Sequence, residues 1–188
     1  MKKSSSTIFT LAVALSCSMG CAKPKKVDTR PASEKGLIRE INIADSTYTA
    51  QYNDITKKES YDKSVKRISD FITNDLKAKA DNWEARVENI ELLDDSTILL
   101  ELITPRGTEF DEKIPTYDAI ALRSFIKNDE KLKNLIKPLI KLEDVIVSGR
   151  FVTNRDNDGN IFFNAYSSSN KIDNPVFEFI ITDIKSKY

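Results

Sequence analysis

Hydrophobic and polar positions along this chain follow two regimes. Between Ser60 and Ala80 the apolar residues Tyr61, Val65, Ile68, Ile72 and Leu76 recur at steps of four and three, with Ala80 closing the stripe. That spacing predicts an amphipathic helix, and Ser60 stands where a cap is wanted. From Trp83 the period changes to two. Trp83, Ala85 and Val87 alternate with polar residues, then Ile90 and Leu92 alternate in the opposite phase, which predicts a strand with a bulge near Glu88 and Asn89. Asp94-Asp95-Ser96 predicts a tight turn. Ile98, Leu100 and Leu102 line one side of a second strand that ends at Pro105-Arg106-Gly107, and Phe110 to Ile114 gives a short third one. Tyr117 to Ile136 reads mainly as helix, stopped by Pro138.

The run Val145-Ile-Val-Ser-Gly-Arg-Phe-Val152 organises what lies on either side of it. It is β-branched and apolar with one glycine set into it, the pattern of a central strand that bends where another backbone comes close. Asn154 to Asn160 is a polar loop, Ile161 to Tyr166 a return strand, and Val176 to Ile184 a last strand after Asn174-Pro175. Leu37 to Tyr52 has scattered apolar residues, with Ile41 and Ile43 alternating, and reads as a short strand or a packed arm.

The order of strands with one helix between the third and fourth resembles the OB-fold. The likeness spans Trp83 to Ile184 and rests on element order. The resemblance implies a mainly β, α+β chain: a small OB-like β-barrel preceded by an amphipathic helix. An α+β domain with an open antiparallel sheet is the rival architecture.

The first residues belong to something else. Met1-Lys2-Lys3 is followed by the short apolar run Ile8 to Leu15, then by small residues and a cysteine, which is the pattern of a secretion signal. Leu15-Ser-Cys-Ser-Met-Gly-Cys21 resembles a bacterial lipobox, in which a cysteine is lipidated and becomes the new N-terminus. Gly20-Cys21-Ala22 fits that ending better than Ser16-Cys17-Ser18, with ordinary secretory cleavage as the alternative. The expected organisation is a leader over 1–20, a flexible tether over 21–36, an N-terminal arm and helix over 37–82, and the barrel domain over 83–188. The resemblance implies a lipid-anchored protein of the cell envelope, on an outer membrane facing the periplasm where the cell has one.

Charge and chemistry narrow the function classes. The 188 residues contain no histidine, and Cys17 and Cys21 both lie in the leader region, so imidazole bases, Cys-His pairs and the usual zinc ligand sets are missing from the rest. Ser124-x-x-Lys127 and Ser168-x-x-Lys171 match a serine–lysine spacing, but without the motifs that accompany it in penicillin-binding enzymes. Glu109, Asp111 and Glu112 read as a solvated strand edge. Between Asp94 and Lys113 six acids face two bases, which disfavours phosphate and hence nucleic acid. Lys57 to Ala80 carries seven basic and four acidic residues, and a basic helix beside a lipid anchor can lie on anionic headgroups. An ordinary surface helix has the same pattern.

Asn154-x-Asp156-x-Asp158-Gly159 has the spacing of an EF-hand loop, yet its twelfth position is Ala165 and strands flank it. An Asp-Gly hairpin turn explains the same residues without a metal. Phe162 and Phe163 point to opposite faces of their strand, so one of them is free to join Tyr166 in a partner patch. The sequence therefore predicts a non-enzymatic binding or adaptor module. The expected module is lipidated at Cys21, as the lipobox resemblance implies, with contacts at Asn154, Asp156, Asp158, Phe162, Phe163 and Tyr166, no cofactor or metal, and an envelope protein, glycan or small ligand as partner. A small envelope enzyme or inhibitor, or a lipid or small-ligand carrier, are the alternatives.

Overall fold

The computed structural model describes residues 28–107, 119–153, 163–165, 172 and 175–188, with 163–165 described by their backbone. Two helices come first, α1 over Ala32–Thr49 and α2 over Asp54–Asp70, the latter continued by a wider π turn over Phe71–Asp75. Strands β1 (Lys79–Leu92), β2 (Thr97–Pro105) and β3 (Ala119–Lys127) follow, then the short helix α3 (Glu130–Ile136), then β4 (Asp144–Phe151), β5 (Phe163–Ala165) and β6 (Pro175–Ser186).

The strands close on themselves. β1 pairs antiparallel with β2 and with β4, β2 with β3, and β4 with β6, while a parallel pairing of Ala121 to Arg123 with Val176 to Glu178 joins β3 to β6. The result is a closed five-stranded barrel of OB-like form preceded by helices, with the short β5 added along β6. The bulge expected near Glu88 lies there, where the register of β1 against β2 shifts between Val87 and Asn89. Asp94 makes the expected turn by accepting from the backbone N–H groups of Ser96 and Thr97. These bonds, with the Ser96 hydroxyl, lower its carboxyl to about 2.

Three stretches differ from the sequence expectation. Leu37 to Tyr52 was expected as strand or arm and the tether to reach residue 36, but α1 begins at Ala32. Leu37, Ile38, Ile41 and Ala44 are buried along one helical stripe, while Ile43, the residue that suggested alternation, is exposed. The second helix starts at Asp54, capped by Asn53, whose side chain accepts from the Thr56 N–H at 2.9 Å. Ser60 is buried inside that helix rather than capping it. The helix also stops earlier, because Lys77 and Ala78 both adopt left-handed backbone and turn the chain into β1, which takes Ala80 with it. Finally, nine residues of the helix expected over Tyr117 to Ile136 are strand β3. Ala119 to Lys127 pairs residue for residue with Pro105 to Thr97, and Ile120, Leu122, Ser124 and Ile126 are buried at a period of two. Among the described residues of this stretch, helix remains over α3, which ends before Pro138 as expected. The third strand expected over Phe110 to Ile114 lies outside the described residues.

The interior is aromatic. Phe151 stands at its centre, with Trp83, Phe177 and Phe179 rings edge-on around it at 5.3 to 5.6 Å. Leu37, Ile41, Ile68 and Ile72 from the helices belong to the same core, so the helices and the barrel share one apolar interior. α3 packs against β6 with Leu132 and Ile136 buried.

Gly149 shows why the organising strand carries a glycine. The β4–β6 register shifts between Ser148 and Gly149, and a Cβ there would run into the carbonyl oxygen of Ile180 and lie 2.5 Å from the Phe179 ring. Gly149→Ala is expected to destabilise the fold by at least about 2 kcal/mol in urea unfolding, the cost of overpacking against backbone that cannot give way. Gly107→Ala, where nothing lies within 4 Å of the added atom, should stay within about 0.5 kcal/mol of the parent.

Candidate functional site

The described residues concentrate their polar chemistry at one mouth of the barrel, beside residues 28–34. The last paired position of β1 with β2 at this end is Arg86 opposite Ile103. Beyond it the backbone groups of Glu84 and Pro105 are met by side chains instead. Glu34, in the first turn of α1, accepts from the Glu84 N–H at 2.8 Å, and Arg30 donates through Nη1 to the Pro105 carbonyl at 2.6 Å. The Trp83 indole N–H donates to Ser33 Oγ at 3.0 Å. Arg30, Glu34, Glu84 and Thr104 are all buried. This is how a segment rich in Pro, Ser and Lys becomes part of the fold: its polar side chains finish the hydrogen bonding of two strand ends.

Thr104 fixes the proton count. Its hydroxyl has one hydrogen and two acceptors in reach, Glu34 Oε1 at 2.8 Å and the Glu84 carbonyl at short range. A carbonyl can only accept, so the threonine hydrogen goes there, and the bond to Glu34 is complete when the Glu34 carboxyl supplies the proton. Burial raises Glu34 to about 7, against the Glu84 N–H and the Arg30 charge, which favour the anion. The Glu84 carboxylate nearby goes the other way. Burial works against its charge, but Lys187 Nζ at 2.6 Å and the Thr29 hydroxyl at 2.7 Å lower it. Glu34 is 0 % exposed and faces only groups of the fold, so it acts as a fastening rather than as an acid or base for an external molecule.

Beside this cluster, a groove of about 450 Å³ runs along the outer side of α1. Arg30, Lys35, Arg39 and Arg106 line it with Ile38 and Ile43. Asp28 holds Arg30 through two bonds of 2.9 Å, and Arg106 is bound to Asn42 at 2.8 Å and Asp45 at 2.7 Å. Lys35 is exposed, and the Arg39 side chain is 70 % exposed. Between α1 and α2 lies a second cavity, of about 290 Å³, lined by hydroxyls of Thr47, Thr56, Ser60 and Ser64 with Lys63 and Arg67. The basic helix expected from the sequence is neutralised in part: Lys58 pairs with Asp62 and Lys66 with Asp70, both at 2.8 Å, and Arg67 with Glu40 of α1 at 2.6 Å.

Of the residues singled out from sequence, Cys21, Asn154, Asp156, Asp158, Phe162 and Tyr166 lie outside the described residues, as do Glu109, Asp111, Glu112, Ser168 and Lys171. Phe163 is the first residue of β5, opposite Phe177. Ser124 and Lys127 are both on β3, three positions apart, and so point to opposite faces of the strand, with Ser124 buried and Lys127 exposed. Among the described residues, no group of three His, Cys, Asp or Glu is arranged to hold a metal ion, and no helix is long and apolar enough to cross a membrane. Sequence reasoning passed over the mouth cluster. Its one visible signal is Thr104, a polar residue that continues the inward series Ile98, Leu100, Leu102.

Because Glu34 takes up its proton more readily in the folded protein than at its ordinary value of 4.5, the folded state holds more protons between pH 4.5 and about 7. Stability from this group is therefore lost as pH rises through that window, by a few kcal/mol, of the order of 3. Glu34→Gln, which keeps an acceptor for Glu84 and a donor for Thr104, should flatten this slope while preserving stability at pH 5. Chemical denaturation of the two proteins at pH 5 and pH 8 measures the difference, and parallel pH profiles would overturn the assignment.

Comparisons of the chain with family models, curated proteins and solved structures found no match, so its function is argued from its own side chains.

Proposed function

We propose that this protein is a lipid-anchored, non-enzymatic binding module of the cell envelope, held at the membrane through Cys21 and presenting an OB-like barrel to a partner. The observation that carries this reading is the fastening of Thr29, Arg30 and Glu34 to the barrel mouth. With those residues fixed, six residues, Ala22 to Val27, separate the lipobox-like cysteine from the folded body. They span at most about 20 Å when fully extended. The barrel is thus carried close to the bilayer as one body with its helices.

Recognition by such a module takes place on its outside. The barrel interior is filled by Trp83, Phe151, Phe177 and Phe179 together with aliphatic side chains, which gives no support to a carrier with a hollow barrel. An enzyme built on Ser124 and Lys127 is equally without support, since the two face apart. The outer face of β2 and β3 offers Leu99 and the half-exposed Phe125 beside the ion pair of Glu101 with Arg123 at 2.7 Å. A partner there meets apolar surface with little net charge.

Labelling with palmitate in cells tests the anchor. Label and membrane association should be lost in Cys21→Ser and kept in Cys17→Ser, and label that persists in Cys21→Ser sinks the assignment. For the binding role, in-cell crosslinking of the anchored protein should yield one stoichiometric envelope complex that is lost in Cys21→Ser. No crosslinked species with a folded, anchored protein would count against an adaptor.

A further inference from the structure

The first eighteen residues after Cys21 are strongly basic. Ala22 to Arg39 contains Lys23, Lys25, Lys26, Arg30, Lys35 and Arg39 against two acids, Asp28 and Glu34. The fold removes both acids from the outer surface of this segment. Asp28 is taken up by a two-pronged pair with Arg30, and Glu34 is buried in the barrel mouth. What α1 turns outward is the row Ala32, Lys35, Arg39, Asn42, Ser46 and Thr49, all exposed and without an acid among them. Asp45, at the edge of this row, is bound by Arg106.

We propose that this outward face of α1, with the groove between it and Arg106, rests on the anionic phospholipid headgroups of the bilayer in which the chain is anchored. The proposal deepens the anchored-module reading and rests on it for its geometry. Three observations carry it. The chain enters the groove itself, at Asp28, so the short link from Cys21 delivers this face and not the far end of the barrel to the lipid. The cations recur along the sequence from Lys23 to Arg39, and a juxtamembrane cluster of four to eight such residues is what draws a protein onto a negative leaflet. The competing basic surface, on α2, has Lys58 and Lys66 held by acids at 2.8 Å and Arg67 at 2.6 Å, whereas Arg39 on α1 lies 3.8 Å from Glu40 and Lys35 is exposed. Coulomb attraction to headgroups falls off over a screening length of about 10 Å at ordinary salt, so only a face held at the bilayer profits from it. Anchor and basic face together give the two signals that stable membrane attachment takes.

The test uses the chain from Ala22 onward, which lacks the lipid and keeps every described core residue, and sediments it with vesicles of phosphatidylcholine alone or with added phosphatidylglycerol. Binding should require phosphatidylglycerol and weaken with salt. Lys35→Glu/Arg39→Glu, at two exposed positions, should lower it at least about tenfold. Lys131→Glu/Lys137→Glu makes the same change in net charge at exposed positions in and just beyond α3, and should stay within about twofold of the parent. Equal binding to both vesicle types, an unaffected Lys35/Arg39 variant, or equal losses in the two variants would each overturn the proposal. Intact mass of the full-length protein from membranes reads the anchor separately. No lipid on Cys21 would overturn the anchored-module reading while leaving the vesicle result to stand, and lipid on Cys21 without phosphatidylglycerol binding would overturn the docking face alone.

Discussion

Glu34 sits where β1 and β2 stop pairing and where helix α1 begins, and its carboxyl serves both. One oxygen takes the Glu84 N–H that the strand ladder leaves over, and the other meets the Thr104 hydroxyl, which in turn reaches the Glu84 carbonyl. A buried backbone N–H without a partner costs about 1–3 kcal/mol, so the first turn of α1 cannot leave the mouth without exposing a deficit in β1. From that point the rest of the N-terminal region follows. Leu37 and Ile41, one and two turns further on, enter the core, and Ile68 and Ile72 of α2 meet them there. The Glu40–Arg67 pair then ties the two helices at their surface.

The barrel depends on closure of a second kind. Its five strands join through a parallel contact of three residues between β3 and β6, which is short for a seam. The seam is backed from inside by Phe177, whose ring packs against Phe151, and Phe151 is in turn at the end of β4. β4 approaches β6 closely enough for its glycine to be pressed between the Ile180 carbonyl and the Phe179 ring. The bend at Gly149 thus adds to the bulge in β1, with large aromatic residues filling the space that the strands enclose.

The parts of this fold that were legible in the sequence are those specified by neighbours in the chain. The bulge in β1, the Asp94 turn, the bent strand around Gly149 and the alternation of β6 each declare themselves within a few residues. Ala119 to Lys127 did not, because Ala, Leu, Arg and Lys are good helix formers and Ser124 interrupts the apolar alternation. The segment becomes a strand through its nine-residue pairing with β2, which no local pattern records. α1 was missed for a related reason: Ile43 imitates a strand alternation with Ile41, while the burial of Leu37 and Ile38 that makes it a helix comes from the barrel. Of the mouth cluster only Thr104 left a trace in the sequence, as a polar residue in the inward series of β2. The cluster's members Arg30, Glu34, Glu84, Thr104 and Lys187 come from five places in the chain, and each alone is an ordinary charged or polar residue.

Glu84 is held from both directions of the chain: by Thr29 from before α1 and by Lys187 from beyond the end of β6, 103 residues later. A ribosome delivers these groups far apart in time. Until the last strand has emerged, β1 lacks its second neighbour's completion through β4 and β6, and the Glu84 carboxylate lacks its cation. Pairing at such sequence separation is slow to form. Because β6 carries both the seam to β3 and the approach to Lys187, the barrel stays open along one side until that strand is in place.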